Sequence, residues 1–266
     1  MRQLYRKVRS AALWALSGAH FFIVCPLLVG LGAIFDPRKN DRPQRIFFRN
    51  ILRLAGVKFE VRRAAGFDSQ RTSLFVCNHV NIFDPFVIYS AIPQFVRGFE
   101  LASHFKIPAY GWMMGRFGNV PVPDEKDRSR ASMQEMTRKA EQAFRSGVSL
   151  IAFAEGSRTR NGHVGPFQKG VFRLAIRFGV PIVPMSIVGA YEFHRTGNWM
   201  LNPGKITVYL HDTIETAGMR KEDAEELGKR VHEIVSAPVE KHIAEIARKG
   251  RGAHAKAGEA AENWPD

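Results

Sequence analysis

The chain has 266 residues, enough for one sizeable domain with a full core and a small appendage, and too few to favour two complete domains. A formal charge of +14 favours an anionic partner such as nucleic acid, a lipid surface or a phosphorylated substrate. The two cysteines, Cys25 in an apolar run and Cys77 in a strand-like segment, argue against a disulfide framework or a metal cluster, and a reducing compartment is the default.

The first 45 residues read as a membrane anchor. Arg2, Arg6, Lys7 and Arg9 precede a stretch, Ala11 to Phe35, that has no Asp, Glu, Lys or Arg; Arg38, Lys39, Arg42 and Arg45 follow it. The stretch is long enough to cross a bilayer. Basic flanks on both sides favour keeping both ends on the cytoplasmic face, and the flank after Phe35 fits a signal peptide poorly. A two-helix monotopic anchor broken near Pro26 is expected, ahead of a single-pass span.

Residues 46–249 read as one α/β domain. Val57 to Val61 and Leu74 to Cys77 are expected strands, the second nearly all apolar and therefore central. A helix is expected from Asp84-Pro85, with Asp84 as N-cap and Pro85 first in the helix. Pro121 and Pro123 bracket a short extended piece. Asp127 to Ser146 has helical spacing, with a capping-box pattern at Ser132 and Glu135 and a stop at Gly147. Val148 to Phe153, Ile182 to Val188 and Ile206 to Leu210 read as further strands, and Gly170 to Phe178 as a helix closed by Gly179. Residues 220–249 read as an amphipathic helix kinked at Pro238. Residues 250–266 read as a disordered tail. Alternation of strands and helices implies a mixed, largely parallel central sheet flanked by helices.

Four blocks carry chemistry. VCNHVNIFDP ends a strand at Asn78-His79 and reaches Asp84 at a helix start. Nine His and nine Asp in this chain give about 0.3 such His-Asp spacings by chance, so the pair alone is a weak signal. GWMMGRFGNVPV places Arg116 in an apolar run, where a cation needs an anionic partner or exposure. FAEGSRTRNG puts Glu155, Gly156, Ser157 and Arg158 after a buried strand, with Lys169 at the next helix start; guanidinium and backbone N–H groups there suit phosphate oxygens. VPIVPMSIVGA shapes a pocket wall.

In this order, from about Val57 to Ile214, the blocks resemble those of the glycerolipid acyltransferases typified by 1-acylglycerol-3-phosphate acyltransferase. Ala154 departs from the family's usual Pro, which bears on loop rigidity more than on chemistry. The resemblance implies acyl transfer from acyl-CoA or acyl carrier protein to a lysophospholipid hydroxyl at the cytoplasmic membrane face. It implies His79 as base, Asp84 as its partner, and Arg116 with Glu155, Gly156 and Arg158 in acceptor binding; Asn78, Ser157 and Lys169, from the same stretches of chain, complete the expected substrate-binding set. No cofactor or metal is needed for that chemistry. For the spacing to work, His79 must stand in the loop before the helix and Asp84 in its first turn. Cys77 as a nucleophile is the weaker route, because an apolar strand cysteine is usually inert packing. Other lyso-lipids or glycerol-3-phosphate as acceptor, and a non-catalytic lipid-binding protein, are the alternatives. Nucleic-acid binding lacks any recognisable motif.

Overall fold

A computed structural model of the chain describes residues 1–38 and 41–262. Helices α1 (Arg2–Ile34) and α2 (Arg42–Leu54) lead into β1 (Val57–Arg63) and β2 (Leu74–Cys77). Then come α3 (Asp84–Ala91), β3 (Val96–Leu101), α4 (Tyr110–Arg116), β4 (Val120–Val122), α5 (Arg130–Arg145) and β5 (Ser149–Phe153). The last elements are α6 (Lys169–Phe178), β6 (Ile182–Val188), α7 (Ala190–Phe193), β7 (Gly204–Leu210) and α8 (Ala224–Glu262). The strands form one sheet in the order β1-β7-β6-β2-β5-β3-β4. Every neighbouring pair is parallel except β6 and β7.

Strand β2 is apolar at every position because both its faces are covered. Phe75 and Cys77 point into a core built with α1 to α4, while Leu74 and Val76 point into a second core built with α5, α6 and α8. Register across the centre pairs Cys77 with Phe153 of β5 and with Met185 of β6. The segments leaving these three strand ends therefore emerge side by side.

The N-terminal region differs from the expected anchor. Helix α1 runs unbroken through Pro26. Proline removes one helical N–H, but packing holds the helix on either side of it. Ahead of Pro26, Ser10 Oγ donates to Leu201 O and Trp14 Nε1 donates to Trp199 O at 2.7 Å. Around and beyond it, Cys25 and Leu28 are buried in the core. The chain turns instead after Ile34, and α2 lays Gln44, Phe47, Phe48, Ile51 and Leu52 against the domain at helical spacing. Residues 42–45, counted with the anchor, thus open a domain helix.

Three smaller expectations also shift. Helix α5 begins at Arg130, where Ser129 is N-cap and Ser132 completes the capping box; Glu135 pairs with Arg138 instead. Helix α8 is continuous through Pro238 and on to Glu262, through much of the segment read as a tail; Ala, Lys and Glu there favour helix. Residues 263–266 lie outside those described. Strand β3 was not anticipated.

Candidate active site

The strand register builds the site. One residue beyond β2, Asn78 meets the end of β6: its Nδ2 donates to Ile187 O at 3.0 Å and its Oδ1 accepts from Ile187 N at 2.8 Å. One residue further, His79 meets the chain leaving β5, and its backbone N–H donates to Glu155 Oε1 at 2.7 Å. The other oxygen, Oε2, accepts from Gly165 N at 2.7 Å, and the backbone carbonyl of His79 accepts from Thr159 N at 2.9 Å. Glu155 thereby ties the histidine backbone to both ends of the 156–165 loop. A positive φ of 74° at Gly156 makes the turn that starts this loop.

Asp84 is the first residue of α3, not its cap; Phe83 holds the cap position and no side chain caps the helix. Its carboxylate reaches back instead. Oδ2 accepts from His79 Nδ1 at 2.7 Å, from Val80 N at 2.6 Å and from Asn81 N at 3.0 Å. Oδ1 has no hydrogen-bond partner among the described residues, so the contacts all converge on one oxygen. Asp84 is fully buried, while 18% of the His79 side chain is exposed. Phe153 stacks on the imidazole at 4.0 Å, with 17° between the planes. With Nδ1 donating to Asp84, Nε2 is left as the acceptor, and it makes no hydrogen bond to the described residues.

Burial pushes the Glu155 carboxyl above its ordinary range and outweighs the two backbone N–H donors that act the other way. Cys77 is fully buried, and burial first, then the nearby Asp84 and Glu155, push its thiol well above the usual value. The thiolate is the nucleophilic form, so this cysteine is set up as packing. Among the described residues no cluster of three or more His, Cys, Asp and Glu side chains is placed to hold a metal ion.

Residues 58–188 match the family model described as Acyltransferase. That segment is an acyltransferase-family region. It is 31% identical over 147 residues to the chloroplastic 1-acyl-sn-glycerol-3-phosphate acyltransferase BAT2 of Brassica napus, a match taking in 55% of this chain and 42% of that one. Similarity to the 1-acyl-sn-glycerol-3-phosphate acyltransferase of Haemophilus influenzae is 26% identity over 229 residues, 84% of this chain and 92% of the relative. The match thus spans under half of the plant protein but nearly all of the bacterial one. The fold is shared with the crystal structure of the 1-acyl-sn-glycerophosphate acyltransferase PlsC from Thermotoga maritima, at a TM-score of 0.76 and 24% identity over 91% of this chain and 97% of that one.

The site residues read from sequence divide in two. His79, Asp84, Asn78 and Glu155 come together, with Gly156, Ser157 and Arg158 exposed on the adjoining loop. Arg158 lies close enough to His194 and Tyr110 to act on both electrostatically. Arg116 and Lys169 do not join them. Arg116 ends α4 with its side chain against Gly32 of α1. Trp14 of α1 packs on Phe83 beside Asp84, and Gly32 lies 18 positions further along the helix, roughly 27 Å along the axis. Lys169 pairs with Glu225 of α8 at 2.7 Å.

One residue was missed. Asn81 donates from Nδ2 to Ala190 O at 2.7 Å and to His194 O at 3.0 Å, and its Oδ1 accepts from Phe83 N. It locks the histidine loop to α7. An Asn just ahead of a helix start is the local signal for this kind of turn.

Because the Glu155 carboxyl is raised in the folded chain, the fold favours its protonated form, and the associated stability is lost as pH climbs from the ordinary carboxylate value through the raised one. Urea unfolding at several pH values checks this: Glu155→Gln should gain stability relative to the parent as pH rises through that window. A stability difference that stays constant or shrinks would contradict the assignment.

Proposed function

We propose that the chain transfers a fatty acyl group from a thioester of coenzyme A or acyl carrier protein to the free hydroxyl of 1-acylglycerol-3-phosphate, giving phosphatidic acid. The observation that carries this is the His79–Asp84 pair, with Nδ1 held by a buried carboxylate and Nε2 open. The activities that name the relatives supply the acceptor.

A hydroxyl is a weak nucleophile near neutral pH, while a thioester is an activated acyl donor, so one positioned base meets the main requirement. His79 Nε2 takes the hydroxyl proton as the oxygen attacks the thioester carbon. Asp84 holds the tautomer and stabilises the imidazolium that forms. When the carbon–sulfur bond breaks, the imidazolium returns the proton to the leaving thiolate. No acyl-enzyme is required, in keeping with the buried Cys77. Arg158 supplies the cation for the acceptor phosphate, and Gly156 and Ser157 shape the exposed turn that presents it. Asn78 and Glu155 act on the backbone of the site. Arg116 and Lys169 have no part in acceptor binding on this reading.

The acceptor already bears one acyl chain and resides in membrane. Helix α1 is the one described helix long and apolar enough to cross a bilayer. Leu4, Val8, Leu16, Ile23, Leu27 and Leu31 are exposed along it, while other faces of the same helix pack on the domain. A helix so docked lies along the domain surface, which supports monotopic attachment at the cytoplasmic face. Single cysteines introduced at position 3 and at position 248, in a background with Cys25 and Cys77 replaced by serine, should both be labelled from the cytoplasmic side of intact membranes. Labelling from opposite sides would establish a span.

Purified chain offered a panel of lyso-lipids and glycerol-3-phosphate with both donor classes should acylate 1-acylglycerol-3-phosphate most efficiently. His79→Ala should lose at least about 10²-fold in kcat while remaining folded. Cys77→Ser should keep near-normal turnover, and Arg158→Ala should raise KM for the phosphate acceptor about tenfold with kcat little changed. Normal turnover by His79→Ala would refute the mechanism. Strict preference for a phosphate-free acceptor would refute the substrate.

A further inference from the structure

The opposite end of the sheet holds a cation that acyl transfer does not use. Arg97 is the second residue of β3, near the strand's N-terminal end, whereas His79 and Glu155 lie beyond the C-terminal ends of the parallel strands β2 and β5. The residue is 2% exposed. Nη1 donates to Val96 O at 2.7 Å, but Nε and Nη2 have no partner among the described residues. Burial pushes the guanidinium down to about 10, which still leaves it charged at neutral pH. A buried charge without a counter-charge is costly, and fixed aromatic faces compensate only in part. Here the group lies over Phe95 at 3.4 Å and faces Phe117 at 5.3 Å.

The surroundings repeat the pattern. Arg97 lines a narrow recess with Gln44, Arg45, Asp41 and Tyr89. Gln44 is buried, and its Nε2 also lacks a partner among the described residues. The recess adjoins the start of α2, a 13-residue helix whose N-cap residue, Asp41, makes no side-chain cap hydrogen bond; apart from Pro43, which has no N–H, the N–H groups of its first turn add to the positive field. The carboxylate here, Asp41, is taken by Arg45, whose Nε and Nη2 donate to it at 2.8 and 2.6 Å. Burial pushes the Tyr89 hydroxyl up to about 12, so it stays neutral. Arg38 contributes further positive charge and donates to Ser146. Among the described residues, three partnerless donor atoms thus belong to residues that line one small space, against one partnerless acceptor, Gln94 Oε1.

We propose that this recess is a phosphate-binding site, distinct from the acyl-transfer site, which takes one oxygen of a phosphate group on the unpaired N–H groups of Arg97 and Gln44. The space admits little more than one oxygen-sized atom, so the rest of the group sits at the mouth beside the start of α2. An apolar groove that shares Gln44 and is lined by Leu28, Leu31, Phe35 and Phe117 continues from it. Free phosphate and a phospholipid headgroup present the same chemistry, and the groove would favour the lipid.

Thermal unfolding of the full chain in maltoside micelles separates these sources. An Arg158→Ala background removes the cation assigned to acceptor phosphate. Two arms are run at constant ionic strength: inorganic phosphate against chloride, and added phosphatidylglycerol against added diacylglycerol. A rise of about 2–4 °C with phosphate or with phosphatidylglycerol is expected, and the arm that shows it identifies the source. Arg97→Met, which keeps the volume and removes the charge, should abolish the rise, and Gln44→Leu should reduce it. Both variants are compared by circular dichroism, and either one that folds suffices. Absence of the rise in both arms, an equal rise with chloride or diacylglycerol, or an undiminished rise in a folded variant would overturn the proposal.

Discussion

Asp84 Oδ2 is the point on which the site depends. Three N–H groups, from the His79 ring and from the backbones of Val80 and Asn81, end on that one oxygen. A strand that stops at Cys77 must turn sharply to start a helix at Asp84, and the turn exposes backbone donors that need acceptors in a buried setting. The carboxylate satisfies those donors and orients the imidazole at the same time. Folding and chemistry thus draw on one charge, which is why the helix start lacks a conventional cap yet is held firmly.

Around that point the sheet acts as a jig. Parallel register brings the ends of β2, β5 and β6 level, so Asn78 reaches Ile187 and the His79 backbone reaches Glu155 without any long side chain being stretched. Glu155 then carries the fixity outward to Gly165, leaving Gly156 to Arg158 as an exposed turn over a rigid base. The N-terminal helix closes the arrangement from another side: Trp14 packs on Phe83 and on His194, whose carbonyl anchors Asn81. On the proposed reading, membrane attachment and site geometry are coupled through this one helix.

Much of this was readable in the sequence. The apolar run at Leu74 to Cys77 announces a central strand, and His79 with Asp84 can meet only across a loop-to-helix junction. What local sequence could not carry was direction in space. Arg116 and Lys169 have the right chemistry for an anion, but helix α4 carries the first toward Gly32 and an ion pair with Glu225 engages the second. Glu155 looked like a ligand group because its two backbone partners, one of them 76 residues away, leave no local trace. Pro26 signalled a break that tertiary contacts on both halves of α1 override. Strand β3 was hidden because VRGFEL interrupts its apolar pattern with Arg97 and Gly98.

The account stands most directly on the protonation pattern of one ring. Nitrogen-15 NMR of histidine-labelled chain, with the His79 signal assigned by its loss in His79→Ala, reports which nitrogen of the neutral imidazole carries the proton. Protonated Nδ1 and bare Nε2, with that preference weakened in Asp84→Asn, is the predicted result. A proton resident on Nε2, or a pattern indifferent to Asp84, would contradict the claim that this carboxylate aims the base.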